Sequence, residues 1–251
     1  MREFAGVGTE QIGLLVLGTV LMLIISLVIA VIWTIMKKEK FTTVLVGALT
    51  FLLFAVILEK PIQNVLVFPT QMGLADHAVS RFVGARPVLL SFIVGLFPGV
   101  FEETGRLVAF KTLLRKRKNR ETSISFGIGH GGFEVMLILG ITYVTYIVYA
   151  MMINSGTFET VVSQISSQAP DQVETLYSLA DQLATFSLAS LGMSVVERIF
   201  AVLFHIGASI LVFYACKDRE KSFCYPLSIL LHTLMDFIGG LVIFKVINIS
   251  S

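Results

Sequence analysis

Residues 87–110 read PVLLSFIVGLFPGVFEETGRLVAF, and the reading of this stretch decides the fold. At 1.5 Å per residue it is long enough to cross the roughly 30 Å hydrocarbon core of a bilayer. A water-facing helix of that length would carry a polar stripe along one side. Here the ionisable residues Glu102, Glu103 and Arg106 are confined to little more than one turn of an otherwise apolar run. The stretch therefore reads as a transmembrane helix with charged groups at depth.

The same pattern continues on either side. Hydrophobic residues make up 55% of the 251-residue chain and charged residues 14%, against roughly 45–50% and 25% in soluble domains. Further apolar runs extend over about Gln11–Met36, Phe41–Leu58, Ile124–Ile153, Gly192–Cys216 and Phe223–Ile247, each near the length that a crossing helix needs. With Pro87–Phe110 they make six spans. Pro61–Val79 is compatible with an interfacial or re-entrant helix and Val173–Leu191 is amphipathic, so the reading extends from six to eight membrane helices. The expected fold is all-α, a polytopic transmembrane helix bundle with a four-helix catalytic core. A single membrane domain over 1–251 is expected, its core at about 87–247 and an outer loop with an amphipathic helix at 154–191. The first run is too long for a signal-peptide core and lacks a small-residue cleavage site, so it reads as a retained helix.

Charge orients the spans. Three short connections are basic: Lys37, Lys38 and Lys40; Lys111 with Arg115 through Lys118 and Arg120; and Lys217, Arg219 and Lys221. The longest opposite-side connection carries Glu159, Asp171, Glu174 and Asp181 without Lys or Arg. The positive-inside rule then puts the basic connections in the cytoplasm and both termini outside, in a cell membrane. The Arg115–Arg120 cluster suits lipid head groups, and nucleic acid is not an expected partner. Cys216 and Cys224 lack metal-type spacing and read as ordinary thiols.

Ionisable residues recur inside the spans. Besides the third span, His130 and Glu134 fall in the fourth, Glu197, Arg198 and His205 in the fifth, and His232 and Asp236 in the sixth. A charge at mid-bilayer costs at least about 2.5–3.5 kcal/mol, so such groups pair with one another or line a functional cavity. Depth tests whether they meet. At 1.5 Å per residue, Glu102 lies roughly 13 Å in from Lys111, His130 roughly 13 Å from Glu121, His205 roughly 18 Å from Lys217 and His232 roughly 16 Å from Lys221. Four helices thus bring a reactive group to one level, below the cytoplasmic face. Glu102 and Arg106, His130 and Glu134, and His232 and Asp236 are each four residues apart and share a helix face. Glu197 and Arg198 lie near the outer surface, where anchoring the helix end explains them as well as function does. His77, beside Asp76 and Arg81, reads as a loop residue. The glycines of Gly127-Ile128-Gly129-His130-Gly131-Gly132 lack the following Lys-Ser/Thr of a phosphate loop and suit close helix approach. Pro98 and Gly99 are placed to kink the third span just before Glu102.

With these residues identified, the chain resembles the YhfC family of predicted intramembrane metalloproteases, relatives of the CAAX-protease and bacteriocin-processing group and of the PrsW proteases. The resemblance is carried by Phe101-Glu102-Glu103-Thr104-Gly105-Arg106, by Gly127 through Glu134, by Glu197-Arg198 with His205, and by His232-Thr233-Leu234-Met235-Asp236. It implies four motif-bearing helices, a water activated by the first glutamate, and cleavage of a peptide bond within or beside the membrane. Two departures from the CAAX-protease pattern stand out. The paired glutamates are followed by Arg after two residues rather than three, and the last motif ends in Asp rather than Asn.

Amide hydrolysis needs an activated water, a polarised carbonyl and protonation of the leaving amine. In a metal version, His205 and His232, helped by His130 or by a carboxylate from Glu134 or Asp236, bind Zn²⁺, and Glu102 or Glu103 is the general base. In a metal-free version, Glu102 and His130 hold the water while His232 and Asp236 stabilise the oxyanion. Glu102, Glu103, Arg106, His130 and Asp236 are the expected catalytic residues, and His205, His232 and Glu134 the expected metal ligands. The expected partners are a membrane-embedded or membrane-proximal peptide and the lipid itself. Buried carboxylates and histidines also serve proton-coupled transporters, and a non-catalytic scaffold is the third alternative.

Overall fold

The computed structural model describes residues 5–168 and 172–247. Its regular structure is entirely helical among those residues, and six helices are long and apolar enough to cross a membrane. They are Thr9–Lys37 (α1), Phe41–Val67, Pro87–Lys111 (α5), Arg120–Asn154, Leu188–Lys217 (α10) and Arg219–Ile243. The fold is the expected all-α polytopic bundle, with six crossings.

The second span runs past its expected end at Leu58. After Phe41–Phe51 (α2) it passes through a π-helical segment, Leu52–Glu59 (π1), and resumes as Lys60–Val67 (α3). Pro61 sits in the first turn of α3. A proline in an α-helix interior meets the carbonyl four residues back, and the wider π turn just before it changes that spacing, so the helix continues. The fourth span is interrupted in the same way: Arg120–Glu134 (α6), a π segment Val135–Leu139 (π2) and Gly140–Asn154 (α7). The stretch 61–79 adds no crossing beyond α3, a 3-10 turn Pro69–Met72 and the start of the short helix Ala78–Gly84 (α4). The connection expected on the outer side holds Phe158–Gln168 (α8) and Val173–Ala184 (α9), which at 1.5 Å per residue are too short to cross. Asp171, expected on that side, lies outside the described residues.

Packing groups the chain into two compact units. One comprises Met1–Val28 with Glu134–Ala201. In it α8 and α9 pack against α7, and Phe158 is buried with its ring edge-on to Tyr149. Val7 and Asn154 exchange two 2.8 Å hydrogen bonds, N–H to Oδ1 and Nδ2–H to the carbonyl, which tie the N-terminal segment to the end of α7.

The other unit comprises Ile29–Phe133 with Val202–Ser251 and holds the expected site. In it α5 packs extensively against Cys224–Ile243 (α11). Glycine makes that crossing close: a Cβ at Gly95 would lie 2.7 Å from the Phe237 backbone nitrogen and 2.9 Å from the Thr233 carbonyl. The GIGHGG segment does the same for α6 and α10. A Cβ at Gly127 would lie 2.6 Å from the Ile206 Cα, and one at Gly131 3.0 Å from the His205 side chain. Below the site, on the side of the basic connections, Phe110, Phe126, Val212 and Phe213 form a buried apolar plug with Ala109 and Leu114. Burial of each such side chain contributes roughly 1.5–3 kcal/mol.

Candidate active site

Glu102 and Glu103 are adjacent on α5 and point about 100° apart around the helix, so they enter two different sets of partners. Glu103 is fully buried. One of its oxygens accepts a hydrogen bond from Arg106 Nη1 and another, at 2.7 Å, from His232 Nδ1, and the other oxygen accepts the Ser228 hydroxyl at 2.6 Å. Ser228 and His232 are one turn apart on α11 and share a face, and the glycine-lined crossing brings that face within reach. With its Nδ1–H committed to Glu103, His232 turns Nε2 toward Asp236, whose carboxylate lies 3.5 Å away and is half-buried.

Glu102 faces α6 and α10. Its Oε2 lies 2.8 Å from His130 Nε2, 4.0 Å from His205 Nδ1 and 3.7 Å from Arg106 Nη2. Glu102, His130 and His205 are all buried and offer one oxygen and two nitrogens within 4.8 Å of one another. Arg106, with no exposed surface, lies between the two sets: Nη1 goes to Glu103 and Nη2 donates to His205 Nδ1 at 2.6 Å. The imidazoles are neighbours as well, with ring centroids 5.1 Å apart for His130 and His205 and 5.5 Å for His205 and His232. Phe51, at the entry to π1, sets its ring edge-on to His130 at 5.3 Å.

Of the residues expected from sequence, Glu102, Glu103, Arg106, His130, His205, His232 and Asp236 therefore lie together. The grouping within that set differs from the expected ligands. The closely spaced donors are Glu102, His130 and His205, whereas His232 is engaged by Glu103 and Asp236. Glu134 belongs to the other unit, where its Oε1 is 3.8 Å from Arg198 Nη1. Arg198 also pairs with the exposed Glu197. A cavity of about 320 Å³ in that unit is lined by Tyr143, Tyr146, Leu183 and Phe186 and contains none of the expected site residues. His77 caps α4 through Nδ1 and donates from Nε2 to the Val65 carbonyl at 2.9 Å.

One buried acid escaped the sequence reading. Glu59, at the end of π1, has no exposed surface, and among the described residues neither carboxylate oxygen has a hydrogen-bond donor; Lys60 Nζ is 3.6 Å away. It lies within electrostatic range of Glu102 and Asp236. Its signal in the sequence was a lone Glu-Lys-Pro at the end of an apolar run, which reads as a span boundary unless the π turn is foreseen.

Comparison with known proteins agrees with this geometry. The model of the YhfC intramembrane metalloprotease family matches residues 21–250. The chain belongs to this family. It is 34% identical over 191 residues to the "Uncharacterized membrane protein YhfC" of Bacillus subtilis (strain 168), covering 76% of this chain and 69% of that one. No solved structure matches it. As a YhfC-family member it is a multi-pass membrane protein, and the metalloprotease name of the family accords with the Glu102, His130 and His205 donors.

Proposed function

We propose that this YhfC-family protein is an intramembrane peptidase that hydrolyses a peptide bond within or beside the bilayer, with Glu102 as the group that accepts the proton of the attacking water. The observation that carries the reading is the buried convergence of Glu102, His130 and His205 donors within 4.8 Å of one another. Burial that many polar groups deep costs stability, and a packing role would be served more cheaply by apolar side chains.

Glu102 is the better base of the two glutamates because it is less committed. Its neighbour is hydrogen-bonded by Arg106, Ser228 and His232, whereas Glu102 accepts from His130 and retains a little exposed surface, 7% of its side chain. His130 holds the Glu102 carboxylate in place. Glu103 fixes the ring of His232, which leaves His232 Nε2 and the half-buried Asp236 facing the region where a carbonyl oxygen or leaving amine would be met. Amide hydrolysis asks for such a pair of separated proton-handling groups.

The donor set also suits a metal. Two imidazole nitrogens and a carboxylate oxygen are the ligand types that zinc takes in catalytic sites, and Glu102, His130 and His205 are the residues that would hold it. Bound there, Zn²⁺ would acidify the attacking water and polarise the scissile carbonyl. A carboxylate has two oxygens, so Glu102 can lend one to a ligand set and use the other for a proton.

The test uses purified protein in lipid nanodiscs, incubated with a pool of membrane-proteome peptides, and reads new N-termini by mass spectrometry. Wild-type protein should generate termini that Glu102→Gln does not, at equal folded concentration. A wild-type protein that creates none, or a Glu102→Gln variant that creates the same ones, refutes the peptidase reading. The same reading puts both termini outside the cell and the site nearer the cytoplasmic face. Single cysteines at positions 117 and 219 should therefore label from the cytoplasmic side, and labelling of the two from opposite sides refutes that topology.

A further inference from the structure

Arg106 is the residue whose position the proposed chemistry does not account for. A buried guanidinium paired to Glu103 alone would balance charge, yet Nη2 turns the other way and donates to His205 Nδ1 at 2.6 Å. The same nitrogen is 3.7 Å from Glu102 Oε2, and that oxygen is 4.0 Å from His205 Nδ1. A positive charge thus already lies against two of the three donors of the Glu102, His130 and His205 group.

The chemistry of the contact defines its consequence. A guanidinium only donates, so His205 Nδ1 is the acceptor and carries no proton. The ring's hydrogen is then on Nε2. Neither nitrogen of His205 is available to a metal in this arrangement, Nδ1 because its lone pair is engaged and Nε2 because it is protonated. The nitrogen that lies 4.0 Å from Glu102 Oε2 is Nδ1, and a cation that takes His205 there must first displace Arg106. No proton moves in that exchange: Nε2 keeps its hydrogen, and one N–H···N bond gives way to one metal–nitrogen bond.

We propose that Arg106 is an internal competitor for the metal site, an arginine that occupies the ligating nitrogen of His205 and is displaced toward Glu103 when a divalent ion binds. The inference rests on the metal reading of the Glu102, His130 and His205 group and adds to it a positioning residue that sets metal affinity. Glu103 is the partner that makes displacement feasible, because its carboxylate already holds Arg106 Nη1 and stays in place through Ser228 and His232. Loading of the site is thereby linked to the Glu103–His232 side, since both groups share one guanidinium.

The experiment is zinc titration of the purified full-length protein in nanodiscs, with Zn²⁺ alone as the probe and calorimetry and elemental analysis as readouts. Arg106→Gln removes the charge and the competing donor, so zinc should bind about tenfold or more tightly than to wild type, with Arg106→Lys between the two. Damage to the fold weakens metal binding, so a gain of affinity is a signature that a merely structural role of Arg106 does not produce. Equal or weaker zinc binding in folded Arg106→Gln overturns the inference. Should Arg106→Gln not fold, ¹⁵N-histidine NMR of wild-type protein decides: the His205 Nδ1 resonance should move on zinc addition, and zinc bound with that resonance unmoved overturns it. Two failures are distinguishable. Zinc bound to His130 and His205 without dependence on Arg106 removes this inference alone, whereas absence of zinc binding in wild type and variants, with cleavage surviving chelation, removes the metal reading and this inference while leaving Glu102 as the base.

Discussion

The two glutamates of α5 are neighbours in sequence and opposites in environment. Glu103 has three donors, two of them from α11, and no exposed surface. Glu102, one residue away, faces His130 at 2.8 Å and His205 at 4.0 Å and keeps 7% of its side chain exposed. A carboxylate that accepts three hydrogen bonds is held still and holds others still, while one with fewer donors can take a proton or a ligand bond. The difference teaches that paired acids in a membrane core need not be duplicates: one builds the site and the other works in it.

The largest effect expected from breaking this contrast is on rate. Glu102→Gln should lower cleavage by about 10²–10⁴-fold, the usual contribution of a general base, while the thermal midpoint in nanodiscs stays near that of wild type. A variant with full activity would place the base elsewhere.

Glu103→Ala should do the reverse and act first on stability. It leaves Arg106 buried without its carboxylate, and breaking a buried pair by removing one partner costs about 3–5 kcal/mol. Thermal unfolding followed by buried-cysteine reactivity should show a marked drop, because Cys224 is buried on α11. If Glu103→Ala were as stable as wild type but inactive, the assignment of roles to the two glutamates would be inverted.

Smaller effects sharpen the comparison. Ser228→Ala removes one neutral donor from the Glu103 carboxylate, and a hydrogen bond to a charged group contributes roughly 1.5–3 kcal/mol. Its cost should fall on stability, with zinc content unchanged by elemental analysis. Glu134→Gln should have the least effect at the site, changing zinc content and cleavage by less than about twofold, since it weakens a partly exposed ion pair with Arg198. Loss of zinc in Glu134→Gln would restore it to the ligand set.

Much of the fold was legible because lipid imposes a simple rule. Backbone polar groups in hydrocarbon must be satisfied within the segment, so an apolar run of crossing length is a helix, and six such runs became six helices. That Glu102, His130, His205 and His232 share one level was legible as well, since rise per residue is fixed. The end of the second span was less so, because a π turn lets the helix continue through Glu59-Lys60-Pro61, where sequence shows only a break. Glu59 was missed for that reason.

What the sequence by itself determined, then, is the number of spans, their helical state and the level at which Glu102, His130, His205 and His232 lie, all of which follow from hydropathy and a constant helical rise. The tertiary structure alone decided which of those groups face one another. Helix rotation and crossing distance are set by contacts such as Gly95 against Thr233 and Gly131 against His205, and such contacts join residues far apart in the chain. They send Glu103 to His232 and Glu102 to His130, pairings that no spacing along a single helix specifies. Spacing along one helix fixes which side chains share a face; only packing between helices fixes what that face meets.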